Sequence, residues 1–200
     1  MKRPQFVSRA KITFEQNTWD VYNLFDVHDE LLEQEGVIRT EGKASVLVRS
    51  TFLFITACWE SYVEDLCEEA LSSLSTSAFK GKKWAGTVLK NQARDLLSDF
   101  NTPKSGNVDT VFARTIGLQK LSKCWEWNGM SADQARSTLG NYVTARGAIA
   151  HRARTSHPIS RKGAEQYLDF VKTLVANTER RIQIYVRRIT GIHFGKKSRR

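Results

Sequence analysis

FLFITACWESYV, at Phe52–Val63, is apolar on nearly every side of a helical wheel. A helix that is hydrophobic all round is typical of the central, buried element of a helical bundle. The sequence on either side of this stretch shows helical periodicity, no internal repeat and no strand pattern of comparable strength. We therefore predict an all-α fold, a bundle of five to six helices with this segment at its centre.

The apolar spacing and the turn residues between periodic segments give the order of the helices. The predicted helices are Phe14–Glu35, Lys43–Ser73, Trp84–Asp99, a short helix from Asn107 or Val108 to Ile116, Ser131–Arg154 and Arg161–Ile189. Residues 36–42, which begin and end with glycine, are predicted to separate the first two. Capping boxes mark two of the starts, Thr13 with Gln16 and Ser131 with Gln134.

Length and composition fit one domain. The 200 residues are 40% hydrophobic, and they divide into a flexible lead-in at 1–12, a helical domain at 13–190 and a basic tail at 191–200. No apolar run is long enough to span a membrane, and no secretory core follows the basic N-terminus. Three widely spaced cysteines fit buried thiols in a reducing compartment. We expect a cytoplasmic protein without a membrane partner.

Two tryptophans, Trp125 and Trp127, stand in an irregular connection between the fourth and fifth predicted helices. Exposed tryptophans can stack on nucleic-acid bases. Tryptophans more often close the side of a hydrophobic core, and we favour that interpretation.

The charge of the chain is uneven. Residues 1–100 carry 12 Lys/Arg against 15 Asp/Glu, a net charge of −3, whereas residues 101–200 carry 19 against 6, a net charge of +13. This asymmetry indicates a partner that bears phosphates, or an acidic protein partner. The alternative is a solvated basic face with a disordered tail. We favour the phosphate-bearing partner, because the asymmetry includes the helix described next.

The fifth predicted helix, SADQARSTLGNYVTARGAIAHRAR at Ser131–Arg154, carries an arginine in the middle of its apolar face. Arg146 is unfavourable there unless an anion pairs with it, because a guanidinium cannot give up its charge. His151 follows in an Arg-x4-His pattern. Arg152-x4-His157 matches the same pattern, but His157 lies beyond the helix. We therefore select Arg146 and His151 as candidate catalytic residues.

The central helix offers the anion. Glu60 follows a tryptophan and shares one helical stripe with Arg49 and Thr56. Arg146 is the expected partner of Glu60, with Arg49 as the local competitor. The pair either fixes the register of the helices or belongs to a site, so Glu60 and Arg49 join the candidate catalytic residues.

The sequence contains none of the motifs that several other chemistries require. It has no Walker phosphate loop, no Cys-x-x-Cys or His-Glu-x-x-His zinc pattern and no Gly-x-Ser-x-Gly elbow. An arginine and a histidine can cleave RNA, because the 2′-hydroxyl of RNA is itself the nucleophile. The expected products are a 2′,3′-cyclic phosphate and a 5′-hydroxyl, and we expect neither a metal nor a cofactor.

Helical geometry constrains such a pair. Five residues of an α-helix place Arg146 and His151 about 140° apart around the axis and about 7.5 Å apart along it. One straight helix cannot easily aim both side chains at one phosphate. We therefore predict a homodimer with a composite site at its interface.

Four segments stand out when they are taken together: Leu47–Leu66, Phe100–Pro103, Trp125–Ser131 and Arg146-x4-His151. In combination they resemble the HEPN superfamily, and more specifically its RiboL-PSP-HEPN branch. The resemblance implies a HEPN-like helical bundle that dimerises and often acts as a metal-independent endoribonuclease, with Arg146 and His151 in the family's catalytic positions. It also points to toxin–antitoxin and phage-defence systems, so an antitoxin or another operon-encoded protein is a candidate partner besides RNA.

Two functions therefore stand. The first is an RNA-cleaving enzyme, and the second is a non-catalytic HEPN module that binds RNA or a partner protein. A more distant alternative is a DNA-binding helix-turn-helix that uses the helix beginning at Ser131. The position of Arg146 on the core side of that helix argues against this alternative. The predicted RNA-binding residues are Arg152, Arg154, Arg180, Arg181, Arg187 and Arg188.

Overall fold

The computed structural model describes residues 6–35, 37–79, 83–152 and 159–197. Within these ranges the chain forms six α-helices, a 3₁₀ turn and a two-stranded ribbon. In chain order the elements are β1 (Phe6–Val7), α1 (Arg9–Glu35), α2 (Val37–Ala78), α3 (Lys83–Ser98), α4 (Ser105–Ile116), the 3₁₀ turn (Leu121–Cys124), α5 (Ala132–Arg152), α6 (Arg161–Thr190) and β2 (Lys196–Lys197). The predicted all-α bundle is confirmed.

The helix α2 is the central element of the bundle, as its composition predicts. It packs chiefly against α1 and α6, and it also contacts α3, α4 and α5. Trp59 and Tyr62 are buried in its middle. Trp59 Nε1 donates to Pro103 O at 3.1 Å, and Tyr62 Oη donates to Val175 O at 3.2 Å. Burial of large side chains supplies most of the stabilisation, and these two hydrogen bonds fix how the neighbours sit on α2.

The helix α1 begins at Arg9, so the predicted start at Phe14 and the capping box predicted there are wrong. Ser8 supplies the cap, because its hydroxyl accepts from Lys11 N at 3.0 Å. Glu69 of α2 accepts from Arg9 N at 2.8 Å and satisfies another N–H of the first turn. The contact with α2 cannot be read from the local sequence, and it favours the earlier start.

The helix α2 begins at Val37 and ends at Ala78, so the predicted break up to residue 42 and the predicted end at Ser73 are wrong. Position 36 itself lies outside the described residues. No proline interrupts this segment. A single glycine inside a helix, here Gly42, costs about 1 kcal/mol. The packing of this 42-residue helix at the centre of the bundle outweighs that cost.

The helix α5 begins where the capping box predicts. Ser131 N donates to Gln134 Oε1 at 2.8 Å, and Gln134 N donates to Ser131 Oγ at 3.2 Å. The two bonds satisfy backbone groups that a helix start otherwise leaves without partners. The helix is described as far as Arg152, and its predicted end at Arg154 lies outside the described residues.

A buried tryptophan anchors the connection that precedes α5. Trp125 is fully buried, and its Nε1 donates to Thr178 Oγ1 on α6 at 2.9 Å. Trp127 is half-buried and packs on Phe170 with ring centroids 5.8 Å apart. Core packing of Trp125 is therefore confirmed, and its ring is not available to a nucleic-acid base.

The two ends of the described chain pair with each other. In the antiparallel ribbon of β1 and β2, Phe6 is opposite Lys197 and Val7 is opposite Lys196. Ser8 N and Ser8 Oγ each donate to the buried Glu179 carboxylate at 2.7 Å. The sequence predicts a flexible lead-in and a basic tail here and no contact between them, since local patterns do not reveal pairing between segments so far apart.

The cysteines are free thiols. Cys58 and Cys67 are buried, and Cys124 is half-buried. Burial raises the pKa of Cys58 to about 11, which keeps its thiol protonated and unreactive at neutral pH. No helix in the described ranges has the length and hydropathy of a membrane span.

Candidate active site around Arg146

Arg146 on α5 faces Glu60 on α2. Arg146 Nη2 lies 3.9 Å from Glu60 Oε2, and the two side chains are 33% and 18% exposed. The partnership expected from the sequence is therefore present. The separation is longer than the roughly 2.8 Å of a direct charge-assisted hydrogen bond. Glu60 thus supplies a counter-charge without a direct hydrogen bond, and the N–H donors of Arg146 remain available to a ligand.

Aromatic rings pack together one turn before Arg146 on α5. Tyr142 lies one turn earlier on α5 and stacks on Tyr167 of α6, with ring centroids 4.1 Å apart and planes 21° apart. Phe52 and Phe170 pack against Tyr142 at centroid distances of 5.8 and 5.5 Å. Offset and tilted aromatic contacts of this kind favour one ring orientation. This aromatic cluster is therefore fixed by side chains from three helices, α2, α5 and α6.

Carboxylates dominate the α2 side of the site. Burial raises the pKa of Glu60, and the charge of Arg146 opposes part of this rise. Glu64, one turn further along α2, has its pKa raised to about 7, first by burial and then by the nearby charges of Glu60, Asp65 and Glu68. A phosphate that approaches Arg146 therefore meets repulsion from α2. Among the residues that the structure describes, no three His, Cys, Asp or Glu side chains converge as a metal-binding group.

His151 lies in the last described turn of α5 and is exposed. The five-residue step from Arg146 sets it about 140° further around the helix axis. On a straight helix this step aims the guanidinium and the imidazole of one copy in different directions. The described residues give Arg146 a partner in Glu60 and leave His151 facing solvent.

Arg49 takes no part in the Arg146 cluster. Its Nη1 donates to Ser45 Oγ at 2.6 Å, one turn back on α2. Thr56, on the same predicted stripe, is buried and shares a hydrogen bond with Tyr167 Oη at 2.9 Å. Of the three stripe residues, Glu60 is the one that contacts Arg146, and Arg49 is not its competitor.

The candidate RNA-binding arginines of α6 lie on the surface. The exposed residues of this group are Arg180, Arg181, Arg187 and Arg188 on α6, and Arg152 at the end of α5. Arg154 lies outside the described residues. None of the exposed five forms an ion pair with a carboxylate in the described ranges. Their charge is available to an anionic partner, and RNA binding by them stays a prediction.

The site residues predicted from the sequence do not include Tyr142. In the structure its ring is half-buried and stacks on Tyr167, one turn before Arg146 on α5. The spacing is the signal that identifies it, because residues four apart on a helix lie on the same face one turn from each other. A tyrosine four residues before a functional arginine is therefore a candidate member of the same site.

Comparison with known protein families gives a match over most of the domain. The RiboL-PSP-HEPN family model matches residues 15–183, from α1 to the second half of α6. Glu60, Arg146 and His151 all lie inside the match. Comparisons with curated proteins and with solved structures found no match. Because the family model covers far more than half of the chain, the chain belongs to the RiboL-PSP-HEPN family.

Proposed function

We propose that this protein is a metal-independent endoribonuclease of the HEPN type. The observation that carries the proposal is the partly exposed Arg146, held at 3.9 Å by a single carboxylate within an Arg-x4-His pattern of a RiboL-PSP-HEPN chain. A guanidinium in this setting can exchange a long ion pair for a bidentate contact with phosphate. The net charge of +13 in residues 101–200 supports a polyanion as the substrate.

The proposed reaction uses the 2′-hydroxyl of RNA as the nucleophile. A neutral imidazole of His151 takes the proton from O2′, and O2′ attacks phosphorus while the bond from phosphorus to O5′ breaks. A second, protonated imidazole gives its proton to O5′, so the products are a 2′,3′-cyclic phosphate and a 5′-hydroxyl. Arg146 binds the phosphate and stabilises the charge that develops on its oxygens. Both proton transfers suit imidazole, which changes charge near neutral pH.

A homodimer can bring together the arginine and the imidazoles that one copy of the chain does not aim at a common point. Arg146 and His151 point in directions about 140° apart on one helix, whereas a second copy can bring its own His151 to the cleft. Two copies also supply the two imidazoles that the reaction needs. We therefore propose a composite site at the interface of a homodimer.

Cleavage with end-group analysis tests the proposal. Purified protein incubated with RNA in EDTA is expected to give fragments with 2′,3′-cyclic phosphate and 5′-hydroxyl ends. His151→Ala and Arg146→Ala are each expected to reduce the rate at least a hundredfold, since general acid–base and phosphate contacts contribute that much. Wild-type protein that leaves RNA intact, or a His151→Ala protein of undiminished activity, would rule out this mechanism.

A second function is a non-catalytic module that binds RNA. The exposed arginines of α6 favour RNA binding away from Arg146. The carboxylates beside Arg146 repel phosphate and therefore disfavour cleavage there. It predicts salt-sensitive RNA binding without cleavage. Binding would survive His151→Ala and weaken when Arg180 and Arg187 are replaced by glutamine.

A biological role follows from the first function. An RNA-cleaving member of this family would act as a toxin or a phage-defence effector, held in check by an antitoxin or another operon-encoded partner. Expression in bacteria is then expected to arrest growth with the wild-type chain and not with His151→Ala. Equal growth of the two strains at equal protein levels would contradict this role.

A further inference from the structure

Tyr142 differs from the other tyrosines in its hydroxyl group. The chain has five tyrosines, and all of them lie in the described ranges. Four hydroxyls have protein partners: Tyr22 with Lys172, Tyr62 with Val175 O, Tyr167 with Thr56, and Tyr185 with Ile116 O. Tyr142 Oη has none among the described residues. Among the described residues, Ser75 Oγ is the one buried side-chain oxygen or nitrogen without a hydrogen-bond partner. Tyr142 Oη is therefore not buried, and it reaches solvent.

The ring that carries this hydroxyl cannot move freely. Tyr167 covers one face of it at 4.1 Å, and Phe52 and Phe170 pack against it from α2 and α6. A side chain locked in this way loses little conformational entropy when it binds a ligand. Burial of the ring also raises the pKa of Tyr142, so its hydroxyl remains a hydrogen-bond donor at physiological pH.

The position of the hydroxyl relates it to Arg146. Tyr142 and Arg146 are four residues apart on α5, so their side chains leave the helix on the same face, one turn from each other. Both side chains are partly exposed. Arg146 faces the carboxylate of Glu60, and Tyr142 stacks on the ring of Tyr167. A fixed neutral donor one turn from an arginine suits an anion with several acceptor oxygens.

We propose that Tyr142 is a substrate-binding residue whose hydroxyl donates a hydrogen bond to the RNA phosphate bound by Arg146. The inference rests on the proposed function, because it takes RNA as the ligand of Arg146. It adds a hydrogen-bond donor beside Arg146 and His151.

Binding of an uncleavable RNA tests the proposal separately from catalysis. The probe is a fluorescently labelled 20-nucleotide 2′-O-methyl RNA, titrated with wild-type protein, Tyr142→Phe and Tyr62→Phe. Tyr142→Phe removes one oxygen and keeps the stacked ring, so it is expected to bind about tenfold more weakly. Tyr62→Phe is the matched control, because it deletes a phenol oxygen in the buried core and is expected to bind RNA as the wild type does.

The outcomes separate this inference from the proposed function. Tyr142→Phe that binds the probe as tightly as the wild type overturns the inference, even if the wild type cleaves RNA. Weaker binding by Tyr142→Phe supports it, even if no cleavage is found. The solution mass of each variant is measured at the same concentration, because a dimer lost in Tyr142→Phe would assign the hydroxyl to the subunit interface and overturn the inference. A wild type that does not bind the probe overturns it as well.

Discussion

Arg146 and Glu60 contact each other across the bundle from different helices, with 3.9 Å between Nη2 and Oε2. The two partners are not equivalent, because Glu60 is the less exposed. Loss of Glu60 leaves an arginine whose long side chain can turn to water. Loss of Arg146 leaves a partly buried carboxylate without a counter-charge, which is the more costly defect.

Stability measurements are expected to show this asymmetry. Arg146→Ala should lower the free energy of unfolding by about 1 kcal/mol at pH 7, whereas Glu60→Gln should change it by less than about 0.5 kcal/mol. The double variant should recover part of the loss, because its glutamine needs no counter-charge. Urea denaturation of all four proteins gives the coupling energy. Strictly additive effects would mean that the contact contributes nothing in solution.

Glu60→Gln also tests whether Glu60 influences the site at Arg146 or only fixes the register of the helices. If the carboxylate repels phosphate at Arg146, its neutralisation is expected to strengthen binding of the uncleavable RNA about threefold at low salt, with a smaller gain at high salt. Fluorescence anisotropy at two salt concentrations measures this. Glu126→Gln, an exposed change on the connection before α5, is the control for net charge. Equal affinity gains in both variants would show that Glu60 has no specific influence on the site.

A mixing experiment tests the composite site. The His151→Ala protein is expected to be inactive. A heterodimer of this variant with the wild type keeps both arginines but only one of the two imidazoles that the proposed reaction uses. Mixing wild type with an excess of His151→Ala protein, with subunit exchange verified by mass spectrometry, is therefore expected to lower cleavage to the level set by the remaining wild-type homodimers. Verified heterodimers that keep a substantial part of the wild-type rate would show that a working site needs His151 from one copy only.

Sequence reasoning succeeds here where the physics is local. The all-round apolar stretch at Phe52–Val63 identifies the central helix, and the cost of an unpaired charge on an apolar face identifies the contact of Arg146 with Glu60. It fails where distant residues decide. Ser8 binds Glu179, 171 positions away, and no local pattern reveals that pairing. The helical step from Arg146 to His151 does predict a second copy of the chain, and that homodimer stays a prediction.

Glu64 is expected to make stability depend on pH. Its folded pKa is raised from 4.5 to about 7, so the folded state holds its proton over a range in which the unfolded state has lost it. Stability therefore falls as pH rises from about 4.5 through 7 and stays lower above 7. Glu64→Gln removes this effect and is expected to stabilise the protein by about 1 kcal/mol at pH 8, after allowance for solvent screening. The gain should shrink at pH 5.

Urea denaturation of Glu64→Gln at both pH values checks this expectation. Glu126→Gln again serves as the control, since it removes an exposed carboxylate elsewhere. A Glu64→Gln variant whose stability follows the wild type in parallel from pH 5 to pH 8 would show that Glu64 ionises normally in the folded protein.

A substitution at Gly195 tests whether the strands β1 and β2 are paired in solution. Its φ is +89°, and a Cβ at this position would lie 2.4 Å from Val7 O in the strand β1. Gly195→Ala should therefore open the ribbon or strain it, lowering the free energy of unfolding by about 2 kcal/mol. Gly140→Ala is the matched control, because an added Cβ in the middle of α5 meets nothing within 4 Å. That change should stabilise the helix by about 0.5–1 kcal/mol. A Gly195→Ala protein that melts at the wild-type temperature would mean that the ribbon of β1 and β2 contributes nothing to the fold. A lower melting temperature for this variant alone would show that pairing of the two ends stabilises the bundle.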